Sequence, residues 1–173
     1  NTAQDGSSCS PSAFNPAGTC RYSRPGDRTD DFDNYSLQLG WIHDLETNVQ
    51  FFTNVSLAFR APQATELYRL QQNQLVADLE SEEMESIEVG YRASRGNLSY
   101  TLAAYYMQKD NVIFQDSGRN NVSGGATKHR GLELNTQYNI NDAWSFTLTA
   151  SYARHTYDSN VAPRGVSVLL DGK

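Results

Sequence analysis

Apolar and polar residues alternate along most of this chain with a period of two. From Asn34 to His43, Tyr35, Leu37, Leu39 and Trp41 interleave with Asn34, Ser36, Gln38 and Gly40. Val49, Phe51, Thr53, Val55, Leu57 and Phe59 then interleave with Gln50, Asn54, Ser56 and Ala58, and only Phe52 breaks the polar set. Ile87, Val89 and Tyr91 oppose Ser86, Glu88, Gly90 and Arg92. Leu98, Tyr100, Leu102, Ala104 and Tyr106 oppose Ser99, Thr101, Ala103 and Tyr105. The same holds for Leu132, Leu134, Thr136 and Tyr138 against Gly131, Glu133, Asn135 and Gln137. It holds again for Trp144, Phe146, Leu148, Ala150 and Tyr152 against Ser145, Thr147, Thr149, Ser151 and Ala153. Successive side chains of a strand point to opposite faces, so this pattern predicts strands with one apolar and one polar side. Six are expected, over residues 32–43, 49–60, 83–93, 97–115, 128–139 and 143–157. About ten residues is the length with which a tilted strand crosses a bilayer.

The connections alternate too. Asp44 to Asn48, Ala93 to Gly96 and Asn139 to Asp142 are short polar turns of hairpin type. Long polar segments occupy 1–31, 61–82, 116–127 and 158–173. Short turns at one end and long loops at the other are the arrangement of an outer-membrane barrel, with turns in the periplasm and loops outside. The predicted fold is therefore all-β, a transmembrane antiparallel up-and-down β-barrel to which this chain contributes a fragment of about six strands. A soluble β-sandwich also uses short alternating strands. These strands are long for one, and Tyr35, Trp41, Phe59, Tyr91, Tyr106, Tyr138, Trp144 and Tyr152 stand near strand ends on the apolar face, where interface girdles belong.

Composition agrees. Only 38% of the residues are hydrophobic, yet there are ten Tyr, seven Phe and two Trp. No stretch approaches the roughly 18 apolar residues of a membrane helix, so a membrane crossing would be made by strands. The net charge is −6 and the basic residues are scattered, which gives no support to a nucleic-acid surface. Asn1 to Ser10 is polar and has no apolar signal-peptide core, and the chain reads as truncated at both ends. Cys9 and Cys20 lie in a turn-rich segment without a nearby His, which reads as a Cys9–Cys20 disulfide and an oxidising compartment.

One segment is more specific. Residues Ser56 to Arg92 read SLAFRAPQATELYRLQQNQLVADLESEEMESIEVGYR. This resembles the stretch of TonB-dependent outer-membrane receptors in which a strand ends in Phe-Arg-Ala-Pro and is followed by Glu-Leu-Tyr. A long loop then leads to an Asn-Pro-Asp-Leu-Lys-Pro-Glu type motif and a strand bearing Glu-x-Gly. Phe59, Arg60, Ala61, Pro62, Glu66, Leu67 and Tyr68 match the first part, and Asp78, Leu79, Glu82, Glu88 and Gly90 the second. Val76 and Ala77 replace the Asn-Pro, and Glu80 and Ser81 the Lys-Pro. Ala104-Tyr105-Tyr106 with Asp110-Asn111-Val112-Ile113 is similar to the family's next strand, and Gly131-Leu132-Glu133-Leu134 to the one after. The likeness spans about residues 34–157.

The resemblance implies a C-terminal-side part of a barrel of about 22 strands, without its plug domain, in the outer membrane of a Gram-negative bacterium. It implies active uptake of a scarce nutrient, most of all a ferric siderophore or other iron complex, with haem, cobalamin or a glycan as further members of that class. A TonB-type energy-coupling protein would act through the absent plug. Outer-membrane lipid and lipopolysaccharide are the other expected partners, and no cofactor or nucleic acid is expected. A passive porin-like channel and a soluble β-rich binding domain are the alternative readings.

Candidate chemistry is sparse. By parity Arg60, Glu82, Glu88 and Arg92 face the lumen, where charges can pair across strands at modest energy because water screens them. Pro62 ends its strand for want of a ladder N–H, and Gly90 and Gly131 permit close approach of the wall. Glu133 belongs with these structural positions by its place in the family motif. Arg60, Tyr68, Arg69 and Arg119 are the substrate-binding candidates, because loop cations and hydroxyls can bind a hydroxylated or anionic iron chelate. Outer-membrane phospholipases pair a Ser with a His, but no such pair stands at matching depth here, so no enzyme activity is assigned. His43, His129 and His155 are far apart in sequence and predict no shared metal site. Asp27, Asp30, Asp31 and Asp33 lack the ligand spacing of a calcium loop. Three Asn-x-Ser triplets, at Asn54, Asn97 and Asn121, match the glycosylation pattern by accident.

Overall fold

A computed structural model describes residues 2–4, 22–71, 74 and 76–158. A small sheet is made of β1 (Thr2–Gln4), β2 (Tyr22–Arg24) and, across the chain, β5 (Leu70–Gln71). β1 runs parallel to β2, and β2 antiparallel to β5. The body is one antiparallel sheet of six strands in sequence order: β3 (Leu37–Glu46), β4 (Val49–Arg60), β6 (Glu82–Arg95), β7 (Leu98–Gln115), β8 (Asn121–Asn141) and β9 (Trp144–Asp158). The single short helix among the described residues is α1 (Ala64–Tyr68). The chain is all-β, as its alternation predicts.

Pairing carries each strand's pattern across the sheet in register. One row runs Trp41, Thr53, Val89, Ala104, Leu132 and Tyr152; the next, on the opposite face, runs Gly40, Asn54, Glu88, Tyr105, Gly131 and Ala153. The apolar rows have no protein against them among the described residues: Leu39 is 69% exposed and Tyr152 67%. An apolar face this broad is unfavourable in water and favourable in hydrocarbon. Aromatic side chains gather at its two ends. Trp41 and Phe51 (ring centres 5.9 Å apart) and Tyr91 and Tyr100 (6.0 Å) lie toward the short turns, and Tyr35 and Phe59 (5.5 Å) lie toward the long loops.

The short turns have local causes. Asn48 and Gly96 take left-handed backbone (φ 63° and 57°), which Gly adopts freely and Asn better than most residues. In the third turn the Asn141 Oδ1 accepts the amides of Ala143 and Trp144 at 2.9 and 3.0 Å. These contacts satisfy donors that the hairpin reversal leaves open.

The long-loop end differs from expectation in several places. Residues 121–127, expected within a loop, are strand: β7 and β8 continue pairing to Gln115↔Asn121, through register shifts near Val112 and Phe114. Left-handed Asn111 (φ 54°) and Gly124 (φ 105°) accommodate those shifts. The apolar–polar alternation fades there because this part of the ladder no longer separates an apolar from a polar medium. The segment 61–82 is not bare loop either, since it holds α1 and β5 and packs its own cluster of Leu67, Leu70, Ala77 and Leu79 against Phe32, Tyr68 and Ile113. Residues 22–24 of the expected first loop form β2. β3 begins at Leu37, where its ladder with Leu57 starts, rather than at residue 32. Cys9 and Cys20 lie outside the described residues.

Two glycines sit under aromatic rings on the polar face. A Cβ on Gly90 would run into the Phe52 ring, whereas one on Gly131 would lie 2.5 Å from the Tyr152 carbonyl oxygen and 2.7 Å from the Tyr105 hydroxyl. A side chain can move and a ladder carbonyl cannot. Gly90→Ala is therefore expected to cost about 1–3 kcal/mol and to be largely rescued by Phe52→Ala. Gly131→Ala is expected to cost at least as much, with no rescue by Tyr105→Ala. Urea unfolding of the refolded barrel in vesicles reads both double-mutant cycles.

Candidate functional site

The most densely connected region lies where the strands meet the long loops. Arg60, the last residue of β4, stands opposite Glu82, the first of β6. Its Nε donates to Glu82 Oε2 at 2.8 Å, its Nη2 lies 2.7 Å from Glu82 Oε1, and its Nη1 lies 3.1 Å from Glu66 Oε2. Glu66 also accepts the Gln63 amide at 2.6 Å, which fastens the start of α1. Glu82 accepts the Ile113 amide at 2.8 Å. One guanidinium thus joins two strands to α1, and Glu82 adds β7. Pro62 is buried directly after β4, where a residue without an amide hydrogen leaves no donor unpaired.

Asn121 is the second junction. It is buried at the start of β8; its Nδ2 donates to the Glu66 carbonyl (2.8 Å), its amide donates to Gln74 Oε1 (2.8 Å), and its carbonyl accepts from Gln74 Nε2 (2.8 Å). A third junction joins the loop to the segment before β3: the Tyr68 hydroxyl donates to Asp30 Oδ2 at 2.7 Å, and Arg28 pairs with the same carboxylate. The Tyr68 hydrogen bond, reinforced by Arg28 and opposed by desolvation, holds the Asp30 carboxyl below its ordinary range. The same Asp30 contact raises Tyr68, which keeps its proton.

Beside these junctions is a polar pocket of about 390 Å³. Arg69 and Arg119, distant in sequence, both line it, together with Tyr22, Glu66, Gln115 and Asn121. The Arg69 guanidinium lies over the Tyr22 ring, 4.3 Å from its centre, and Arg119 projects from a left-handed turn position (φ 68°). Glu66 is committed to Arg60, and neither Arg69 nor Arg119 forms an ion pair with another described residue. Of the four substrate candidates, the pocket therefore joins Arg69 and Arg119, while Arg60 and Tyr68 are engaged in fastening the loop.

The other sequence candidates spread along the wall. Glu88 accepts from Asn54 Nδ2 at 3.4 Å, and Arg92 lies opposite Gln50 with its guanidinium 5.3 Å from the Phe52 ring centre. Glu133 pairs with Ala103 and Ser151 in the same polar rows. Phe59 packs on Tyr35, Leu67 and Leu79 are buried in the loop cluster, and Ala61 and Asp78 are exposed. A second polar-face pocket of about 480 Å³, bordered by Gln50, Arg92, Thr101 and Asn135, lies toward the short turns. Strand pairing also joins two histidines that the sequence left separate: His129 stands opposite His155, Nδ1 to Nδ1 at 2.6 Å. No cluster of three or more metal-ligating side chains occurs among the described residues, and Asp27, Asp31 and Asp33 are exposed. Asn121 escaped sequence reading because its only visible signal was an Asn-Val-Ser triplet.

A sheet polar on one face, openly apolar on the other, short-turned at one end and capped by folded loops at the other is the wall of a transmembrane β-barrel. The family model described as "TonB dependent receptor-like, beta-barrel" matches residues 10–172, and the chain belongs to that family. No curated protein and no solved structure matches the chain. Members of the family are receptors and transporters of the Gram-negative outer membrane rather than enzymes, which makes this chain part of a receptor wall.

Asn121→Ala leaves the Glu66 carbonyl without its side-chain donor, a loss of about 1–3 kcal/mol of loop anchorage. Limited proteolysis is expected to cut within 61–81 several-fold faster while the strands stay protected. The Asp30–Tyr68 contact should also depend on acidity. Because the folded carboxyl is lowered, its contribution is complete above the unfolded value of about 4 and is lost as pH falls through the folded one. Amide hydrogen exchange around Tyr68 is expected to stay slow above about pH 4 and to accelerate below it, and Asp30→Asn should abolish that dependence.

Proposed function

We propose that this chain is six strands of a larger plugged barrel that takes up a bulky anionic iron complex, most of all a ferric siderophore. A TonB-type protein supplies the energy through a plug that the strands enclose. The long-loop end faces the outside, and ligand is captured there. The observation that carries this reading is the pocket of about 390 Å³ in which Arg69 and Arg119 meet without carboxylate partners among the described residues. Two unneutralised guanidinium groups beside the Tyr22 ring and amide side chains suit an anionic, hydroxylated chelate, which can accept forked hydrogen bonds and stack on an aromatic face.

The surroundings support the assignment. Arg60, Glu66 and Asn121 hold α1 and the start of β8 in place, so the pocket rests on strand ends rather than on free loop. A preformed site loses less ordering entropy on binding.

The test is titration of the protein, in detergent, with ferric catecholate, ferric hydroxamate and haem. Arg69→Ala combined with Arg119→Ala is expected to weaken one anionic ferric chelate by more than about tenfold, since each charge-assisted contact contributes roughly 1.5–3 kcal/mol. Uptake of that chelate should stop in cells lacking the TonB-type protein. Unchanged affinity in the double variant, or uptake that persists without energy coupling, would contradict the proposal.

A further inference from the structure

On the apolar face of β8 and β9, Arg130 stands directly opposite Arg154. Like charges at opposite positions of neighbouring strands repel and destabilise the pair unless something anionic lies between them. Both side chains are exposed, and neither forms an ion pair with another described residue. Glu85 and Asp110, which share that face, stand on β6 and β7, and Gln108 stands between Glu85 and Lys128 in their row.

Position identifies the missing anion. Arg130 and Arg154 share the parity of Leu132, Leu134, Ala150 and Tyr152, so they point outward, away from the polar face. Arg154 follows Trp144 by ten residues. That spacing is about 33 Å along a strand, or about 25 Å in height at a tilt near 40°, the full height of a barrel's apolar band. The pair therefore stands one row beyond Tyr152, where hydrocarbon ends and head groups begin, on the side of the long loops. A pocket of about 300 Å³ is lined by both arginines and by Leu132 and Tyr152 of the apolar face, together with Gly131 and Tyr105, so apolar side chains lie beside the charges.

We propose that Arg130 and Arg154 clamp the phosphate groups of the phosphorylated glycolipid that forms the outer leaflet. Guanidinium groups suit this task because each offers a planar fork of donors to a phosphate. A bound phosphate removes the repulsion across the β8–β9 ladder, so lipid and wall stabilise one another. The inference rests on the outer-membrane reading and adds a lipid site to it.

The protein is extracted from outer membranes in mild detergent, and the glycolipid that stays with it is counted by native mass spectrometry. Resistance of the protein to carbonate washing is read first, so failure of the membrane reading is seen before any lipid is counted. Arg130→Gln with Arg154→Gln is expected to reduce retained glycolipid by about 25-fold, each cation near an anionic surface contributing about a factor of five. Arg130→Lys with Arg154→Lys should restore much of it, and Arg92→Gln, inside the wall, should leave it unchanged. If the Gln variant does not fold, the wild-type protein is compared in phosphatidylcholine vesicles carrying either lipid A or dephosphorylated lipid A, and stronger retention of lipid A supports the clamp. Equal retention in either comparison overturns the proposal. Displacement of the glycolipid by millimolar inorganic phosphate also overturns it, by making this a free-anion site.

Discussion

Inside hydrocarbon a peptide N–H or C=O has no water to bond, and each one left unpaired costs several kcal/mol. The rest of this structure depends on that constraint. It requires an unbroken ladder between neighbouring strands, which runs here from Leu37↔Leu57 to Asn141↔Trp144 with few register shifts. It also leaves side chains free to be apolar on one face and polar on the other. Arg60, Glu82 and Glu88 are tolerable because they lie on the polar face with partners, and Leu39, Trp41 and Tyr152 because they do not face water.

Where the ladder leaves the apolar band, different physics takes over. The loop between β4 and β6 buries a cluster around Leu70 and is fastened by side chains rather than by strand pairing. Arg60 is the hinge between the two regimes, since it closes the β4–β6 ladder through Glu82 and holds α1 through Glu66. Fixing the loops this way leaves Arg69 and Arg119 at one pocket without ion-pair partners among the described residues. On the other face, Arg130 and Arg154 reach the same boundary between media and meet lipid instead.

Much of this was legible in the sequence. Period-two alternation marked all six strands of the main sheet, and parity placed Arg60, Glu82, Glu88 and Arg92 on one face. Alternation reports a difference between two media, so it failed where that difference ends: residues 121–127 are strand without an apolar row. Spacing could not show that Arg69 and Arg119 line one pocket, because that depends on how the loop packs around Leu67 and Leu79. Nor could separate strands reveal His129 against His155, or Arg130 against Arg154, because only register decides which residues stand opposite. Asn121 was hidden for another reason, since its partners, the Glu66 carbonyl and the side-chain amides of Gln74 and Gln115, come together only once the loop has folded.

The most direct measurement is a single-cysteine scan along β9 from Ser145 to Tyr152 in the membrane-embedded protein. Each cysteine is offered a water-soluble maleimide and, separately, carries a fluorophore exposed to a lipid-phase quencher. The account predicts strict alternation: Phe146, Leu148, Ala150 and Tyr152 shielded from the maleimide and quenched by the lipid probe, with Ser145, Thr147, Thr149 and Ser151 the reverse. Labelling without a period of two, or equal access of the maleimide to both sets, would contradict the claim that this sheet divides lipid from a polar interior.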